Sequence, residues 1–195
     1  MGEFMNQAMV GSLGEAVDEA VKGLDFDRLS REYWDQNEFL VIPQFLSRSL
    51  VEEYLVPQAQ GVKVDLNRNY IPGHKKGGSV SYYTVMQKAP RFLVLYRSDA
   101  FIDFLSRLTR AKLNLCPDSD PHSCALYYYT EPGDHIGFHY DTSYYKGARY
   151  TILMGLVDRS TQCKLVCELS EQIFLTRSRF RQSVRFCRSA RAQVA

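Results

Sequence analysis

The stretch of sequence that decides the fold runs from residue 127 to residue 157 and reads YYYTEPGDHIGFHYDTSYYKGARYTILMGLV. Short runs rich in β-branched and aromatic residues alternate here with turn residues, a pattern typical of antiparallel strands. The same pattern extends to both sides of the stretch. We therefore predict strands over residues 124–130, 137–141, 150–157 and 163–169.

Two candidate metal ligands, His139 and Asp141, lie in the middle of this stretch. Residues i and i+2 of a strand point to the same face, about 6.6 Å apart along the chain, so both side chains can reach one metal ion. One carboxylate and two imidazoles form the facial triad of non-haem Fe(II) oxygenases, which leaves coordination positions open for substrates. The alternative is an ordinary hydrogen-bonded histidine followed by an aspartate that caps a turn.

The residues before this stretch are mainly helical in pattern. Ser47 is placed to cap a helix, residues 39–42 read as a buried strand, 61–78 as a polar loop and 79–86 as a strand. Helices in front and strands behind predict an α+β chain around a mainly antiparallel sheet. Apolar residues at helical spacing predict helices over residues 12–22, 25–36, 50–56, 90–96 and 98–110.

Composition restricts the class of protein. A chain of 195 residues fits one domain, and 45% hydrophobic with 24% charged residues excludes wholesale disorder. No apolar run approaches the roughly 18 residues of a membrane span, so we expect no membrane partner. Five cysteines are an odd number and too few for a disulfide scaffold, and the N-terminus carries no secretory pattern. These features predict a cytoplasmic location.

The order of motifs resembles the iron-binding region of Fe(II)/2-oxoglutarate-dependent oxygenases. A tyrosine-rich strand is followed by PGD at 132–134, HYD at 139–141, TS at 142–143 and a strand ending in LVD at 156–158. The opening YWDQNEFLVIPQFLS at 33–47 is similar to the start of the prolyl-hydroxylase-like and phytanoyl-CoA-dioxygenase-like branches. In that opening Asn37 and Glu38 stand where those branches have a glycine. The resemblance covers residues 25–169.

The resemblance implies a fold and a reaction. The fold is a double-stranded β-helix, or jelly roll, with the N-terminal helices packed on one sheet. The reaction uses Fe(II), with 2-oxoglutarate and O2 as co-substrates, to hydroxylate a small molecule. His139 and Asp141 correspond to the first two iron ligands, and a carboxylate at position 141 favours hydroxylation over halogenation. Tyr127 and Tyr129 stand where relatives hydrogen-bond 2-oxoglutarate, with plain sheet packing as the alternative.

The pattern of the family breaks after the second of these ligands. The family has a second histidine on a later strand, followed by an arginine or lysine that binds 2-oxoglutarate. The chain's four histidines are His74, His122, His135 and His139, so none follows Asp141. His135 lies about 13 Å from His139 along a strand, and the polar surroundings of His74 and His122 favour solvated side chains. With the distal ligand missing, we expect weak iron binding and little turnover.

Residues 170–195 differ in composition from the rest of the chain. They contain six arginines, no lysine and one acid, a net charge of +5 against −3 for residues 1–169. We predict no strands there and interpret the segment as an atypical Arg-rich tail, the product of another reading frame or an alternative ending. The domain division is then a disordered or vector-derived 1–11, an oxygenase-like 12–169 and the tail 170–195.

A natural basic helix is the alternative for the tail. The protein would then be a non-catalytic binding or regulatory protein on a degenerate oxygenase fold, with arginines able to contact phosphate. Outside the tail the charge is slightly negative, so we do not expect a nucleic-acid partner. The sequence leaves the substrate and the oligomeric state open.

Overall fold

A computed structural model describes residues 13–137, 139 and 149–159, together with the backbone of 165–169, 172–176 and 184–189. The N-terminal residues 1–11, predicted to be disordered or vector-derived, lie outside the described residues. The candidate ligand Asp141 lies outside them as well.

Helices dominate the described chain up to residue 109, and their starts follow local capping rules. The carboxylate of Asp25 accepts a hydrogen bond from the Arg28 backbone N–H, and the Ser47 hydroxyl accepts one from Leu50. The helices are α1 (13–22), α2 (Phe26–Asp35), α3 (Arg48–Leu50), α4 (Val56–Gly61), α5 (Tyr82–Lys88), α6 (Arg91–Tyr96) and α7 (Asp99–Thr109). A π-helical turn over Val51–Leu55 joins α3 to α4, and a 3₁₀ turn over Val62–Asp65 follows α4.

The strands form three antiparallel sheets. One has the order β1–β9–β6, a second has β2–β3–β4 with β5 also on β3, and a third pairs β7 with β8. The strands are β1 (Phe39–Ile42), β2 (Asn67–Ile71), β3 (Lys75–Val80), β4 (Leu126–Tyr128), β5 (His135–Ile136), β6 (Arg149–Met154), β7 (Leu165–Leu169), β8 (Gln172–Thr176) and β9 (Val184–Ser189). The molecule is therefore α+β with antiparallel sheets, as the sequence predicts.

The hydrophobic core joins the helices to both of the larger sheets. Leu40 and Ile42 of β1, Val80 of β3 and Leu126 of β4 are all buried in it. The helices contribute residues at helical spacing, because one apolar stripe of each faces inward. These buried helical residues include Leu13, Val17, Leu29, Tyr33, Val85, Phe101, Leu105 and Leu108.

β3 is the central strand of the second sheet. It pairs with β2 along one edge, where Arg68 lies opposite Gly78, and with β4 along the other, where Tyr127 lies opposite Ser79. The short strand β5 pairs with the start of β3, with His135 opposite Lys76. The sequence around the candidate ligands is thus attached to the rest of the fold through β3.

Most predicted helices are confirmed, but between residues 61 and 86 the observed elements differ from the predicted ones. The predicted loop at 61–78 is wrong, because a 3₁₀ turn and the hairpin β2–β3 occupy it. The predicted strand at 79–86 is also wrong, since β3 ends at Val80 and α5 begins at Tyr82. Tyr82 and Val85 lie three residues apart and are both buried, so the apolar pattern belongs to a helix.

The prediction that no strand follows Leu169 is wrong. β8 pairs with β7, and β9 lies between β1 and β6 with Val184 opposite Ile42. The segment contains β-branched and aromatic residues, which favour strands, although arginines interrupt their alternation. The tail also does not form the alternative basic helix in its described parts. The domain boundary at residue 170 stays a prediction.

No helix among the described residues is long and apolar enough to cross a membrane.

Candidate metal site

The hairpin β2–β3 carries His74 at its turn. The turn is built by Pro72 and Gly73, with the His74 backbone N–H donating to the Ile71 carbonyl over 3.0 Å. Gly73 has φ 71°, the left-handed conformation that the third position of a type II turn requires. Pro72 occupies the second position, where the turn requires the φ of about −60° that a proline ring imposes. The local sequence therefore places His74 at the start of β3.

His74 and His139 are neighbours in the structure. The Gly137 backbone N–H donates to the His74 carbonyl over 2.6 Å, which extends the pairing of β3 with β5 by one hydrogen bond. The two imidazole rings lie 6.1 Å apart between centroids, with their planes at 89°. His74 is half-buried and His139 is exposed. Residues far apart in sequence thus place two imidazoles at one end of the sheet.

One hydrogen bond fixes the proton on the His139 ring. Nδ1 lies 2.9 Å from the Gly137 carbonyl oxygen. A carbonyl oxygen only accepts, so Nδ1 carries the proton, and the neutral ring has its lone pair on Nε2. Metal-binding histidines are commonly oriented in this way, with the second ring nitrogen bonded to a backbone carbonyl. The chemistry of His139 therefore fits a divalent transition metal.

The second predicted ligand, Asp141, lies outside the described residues, so its distance from His139 stays a prediction. Among the described residues no group of three or more His, Cys, Asp or Glu side chains could hold a metal ion. What the structure does bring together is His139 and His74, of which the sequence singled out only His139.

Tyr127 and Tyr129 lie on β4 and at its end, on the exposed face of the strand. Tyr127 is 54% exposed, and the Lys75 ammonium lies 5.3 Å from its ring centroid. Tyr129 packs across Gly77, where an added Cβ would lie 3.1 Å from the Tyr129 ring. The intervening Tyr128 is half-buried, and its hydroxyl donates to the Ala59 carbonyl over 2.6 Å. Strand alternation thus exposes the two predicted tyrosines and turns their neighbour inward.

An ion pair between Arg68 and Asp134 anchors the turn before β5. The Asp134 carboxylate accepts from both terminal nitrogens of Arg68, over 2.8 and 2.7 Å. It also accepts from the backbone N–H groups of Thr130 and Glu131, over 2.8 and 3.0 Å. Because β2 and β5 flank opposite edges of β3, this ion pair, which we call the Arg68–Asp134 clamp, spans the width of β3.

The electrostatics of the clamp follow from these contacts. The hydrogen bonds from Arg68 hold the pKa of Asp134 well below its usual range, and the two backbone N–H groups act in the same direction. The Asp134 side chain is 1% exposed, whereas Arg68 is 31% exposed and also pairs with Glu131 over 2.8 Å. The clamp is therefore a buried carboxylate held by a partly exposed guanidinium, immediately before the strand that leads to His139.

Sequence reasoning missed His74 and Arg68 because both fall in the segment taken as a loop. The Pro72-Gly73 pair was the available signal, since proline then glycine at the centre of a turn is typical of a hairpin. No pattern in the sequence alone, however, pairs β3 with β5.

Comparison with known proteins gives no family assignment. No model of a known protein family matches the chain, and a search of curated proteins finds no match.

Proposed function

We propose that this chain belongs to the lineage of Fe(II)- and 2-oxoglutarate-dependent oxygenases and hydroxylates a small-molecule substrate. The observation that carries the proposal is the order of motifs from the tyrosine-rich strand through HYD at 139–141 to LVD at 156–158. The Nδ1–Gly137 hydrogen bond of His139 is compatible with it, because it places the proton on Nδ1 and the lone pair of the neutral ring on Nε2. His139 is also exposed at the end of a sheet. His135 shares both properties, so it is the position of His139 in the HYD motif at 139–141 that distinguishes the two residues.

The proposal includes a double-stranded β-helix core. Its support is the antiparallel pairing of every described strand and the division into separate sheets, which a jelly roll requires. β9 lies between β1 and β6, so strands from both ends of the chain share a sheet. The helical core packs against β1, but it also buries Val80 of β3 and Leu126 of β4, so the helices contact both larger sheets and not one.

The roles of the chain's residues follow from their chemistry. Iron with bound 2-oxoglutarate and O2 would supply the oxidation of an unactivated C–H bond. Nε2 of His139 and the Asp141 carboxylate would hold the metal, and the carboxylate at 141 favours hydroxylation. The side chains of Tyr127 and Tyr129 are assigned to hydrogen-bond 2-oxoglutarate. With no histidine after Asp141, we expect weak metal binding and little turnover from the chain as it stands.

An anaerobic metal titration tests this proposal. Fe(II) binding is measured by competition with a coloured chelator for the wild-type chain, His139→Ala and His135→Ala. His135 is a matched control, because it is exposed and its Nδ1 bonds the Gly133 carbonyl in the same way, over 2.8 Å. We expect His139→Ala to weaken Fe(II) binding at least about tenfold and His135→Ala to leave it unchanged. Equal affinities of wild type and His139→Ala would contradict the proposal.

A second candidate function is a non-catalytic binding or regulatory protein on the same fold. The observation in its favour is the combination of no histidine after Asp141 with six arginines in residues 170–195. Metal dependence separates the two functions. If the chain is a non-catalytic binding protein, His139→Ala should bind its partner as the wild type does. Robust succinate formation from 2-oxoglutarate by the purified chain would exclude the non-catalytic function and the expected impairment together.

A further inference from the structure

We propose that His74 supplies a second imidazole to the metal site of His139. This inference rests on the proposed function, because it completes the ligand set of the same site. His74 and His139 would together supply the two imidazoles of the two-histidine, one-carboxylate set typical of non-haem Fe(II) sites. The second imidazole would then come from a hairpin before the motif rather than from a strand after it.

The separation of the two rings is compatible with one shared ion. A metal–nitrogen bond of about 2.1 Å, with the ring centre about 1.1 Å behind the nitrogen, allows centroids at most about 6.4 Å apart. The observed distance between the centroids of His74 and His139 is 6.1 Å. A right-angled pair of ligands needs about 4.5 Å between centroids, which rotation of the His74 side chain toward His139 can supply while His139 keeps its hydrogen bond to Gly137.

The backbone holds the two residues at this distance. The turn hydrogen bond from His74 to Ile71 and the hydrogen bond from Gly137 to the His74 carbonyl fix the backbone on both sides of the pair. Gly137 permits the close approach, since a Cβ there would lie 3.3 Å from the His74 carbonyl oxygen and 3.6 Å from its Nδ1. Such preorganisation is what a ligand pair on rigid elements requires.

The other two histidines are less well placed. His135 lies in β5 opposite Lys76, and its Nδ1 lies 2.8 Å from the Gly133 carbonyl oxygen in the preceding turn. His122 lies in an exposed turn, where its backbone N–H donates to the Asp120 carboxylate over 2.8 Å. His74 is therefore the histidine whose ring the fold brings next to His139.

Pulsed EPR of the Cu(II)-loaded chain counts the coordinated imidazoles, because the remote nitrogen of each ring modulates the electron spin echo. We expect two imidazoles in the wild type and in the control His135→Ala, and one in His74→Ala and in His139→Ala. A Co(II) titration of the same variants should give at least about tenfold weaker binding for both single-ligand losses.

The variants should remain folded, because His74→Ala keeps the backbone carbonyl that accepts from Gly137. His74→Gln is a second variant with a side chain of comparable length, and it should also lose one imidazole. If His74→Ala and His74→Gln keep two imidazoles while His139→Ala loses one, this inference fails and the proposed function stands. If His139→Ala also binds like the wild type, both fail.

Discussion

Loss of the Asp134 carboxylate should destabilise the fold more than an ordinary surface substitution does. The carboxylate accepts four hydrogen bonds and its side chain is 1% exposed. A hydrogen bond to a charged group contributes about 1.5–3 kcal/mol, but donors on exposed residues regain water when the acceptor is lost. We therefore expect Asp134→Ala to lower the free energy of unfolding by about 2–3 kcal/mol. Urea unfolding at pH 7, followed by circular dichroism, measures the change.

A double-mutant cycle identifies the source of this destabilisation. If the Arg68–Asp134 clamp is responsible, Asp134→Ala should have at most half of its effect in an Arg68→Ala background. The matched control is the exposed pair of Lys22 and Glu19, whose side chains are 69% and 72% exposed and 2.7 Å apart. Substitutions of that pair should be additive, because exposed ion pairs contribute little. Additive effects of Arg68→Ala and Asp134→Ala would refute the reasoning.

The pH dependence of the clamp has a defined sign. Arg68 holds the pKa of Asp134 below its ordinary value, so the folded state keeps this carboxylate charged where the unfolded chain has begun to protonate it. The stabilisation is fully present above about pH 4 and is lost as the pH falls through the lowered pKa. The stability difference between wild type and Asp134→Asn should thus be constant from pH 7 to 5 and shrink below pH 4. A difference independent of pH down to 2 would contradict this.

Three further predictions concern packing, a thiol and a helix cap. Gly78→Ala should lower the free energy of unfolding by about 1–3 kcal/mol, because the new Cβ would lie 2.7 Å from the Leu66 side chain; an unchanged urea midpoint contradicts this. Burial raises the pKa of Cys124 to about 11. Iodoacetamide at pH 8 should therefore modify this thiol far more slowly in the folded chain than in the urea-unfolded chain, and mass spectrometry of the peptide measures the difference. Ser98→Ala should reduce stability by about 1 kcal/mol in thermal unfolding, since the hydroxyl caps α7 through the Phe101 N–H. Ser98→Thr should retain the cap and the stability, because it keeps a hydroxyl that can accept from Phe101 and donate to Asp18.

The helices were predictable because their signals are local. α7 has an N-cap serine and buried residues at positions 101, 104, 105 and 108, the spacing of one helical face. α2 begins after the capping carboxylate of Asp25 and buries Leu29 and Tyr33. In both helices the capping residue and the apolar stripe lie within about a dozen neighbouring residues. The two helices could therefore be predicted without knowledge of tertiary contacts.

The hairpin β2–β3 was missed for a physical reason. All five residues of β2 are exposed, so the strand has no buried face and no apolar alternation to reveal it. Its hydrogen-bonding partner β3 begins with two lysines and contains Gly77 and Gly78, a composition that favours a loop over a strand. Only the Pro72-Gly73 turn indicated a hairpin.

The candidate site divides in the same way between local and long-range information. The spacing of His139 and Asp141 is local and can be read from the sequence, but the predicted strand at 137–141 is not confirmed, because β5 ends at Ile136 and the described residues 137 and 139 are not in a strand. The proximity of His74 to His139 depends on the pairing of β3 with β5, which follows from tertiary structure. The two backbone donors to Asp134 are local, whereas its guanidinium partner, Arg68, comes from the missed hairpin.

The register of β3 determines whether the two imidazoles meet. β3 carries β2 on one edge and β4 and β5 on the other, so it fixes the clamp, the two exposed tyrosines and the His74 turn relative to one another. A slip of one residue along β3 would reverse the face of every side chain on it and break the hydrogen bond from Gly137 to the His74 carbonyl. The Arg68–Asp134 clamp opposes such a slip because it joins the strands on either side of β3. A metal site shared by His74 and His139 would therefore depend on the clamp, although neither of its residues is a proposed ligand.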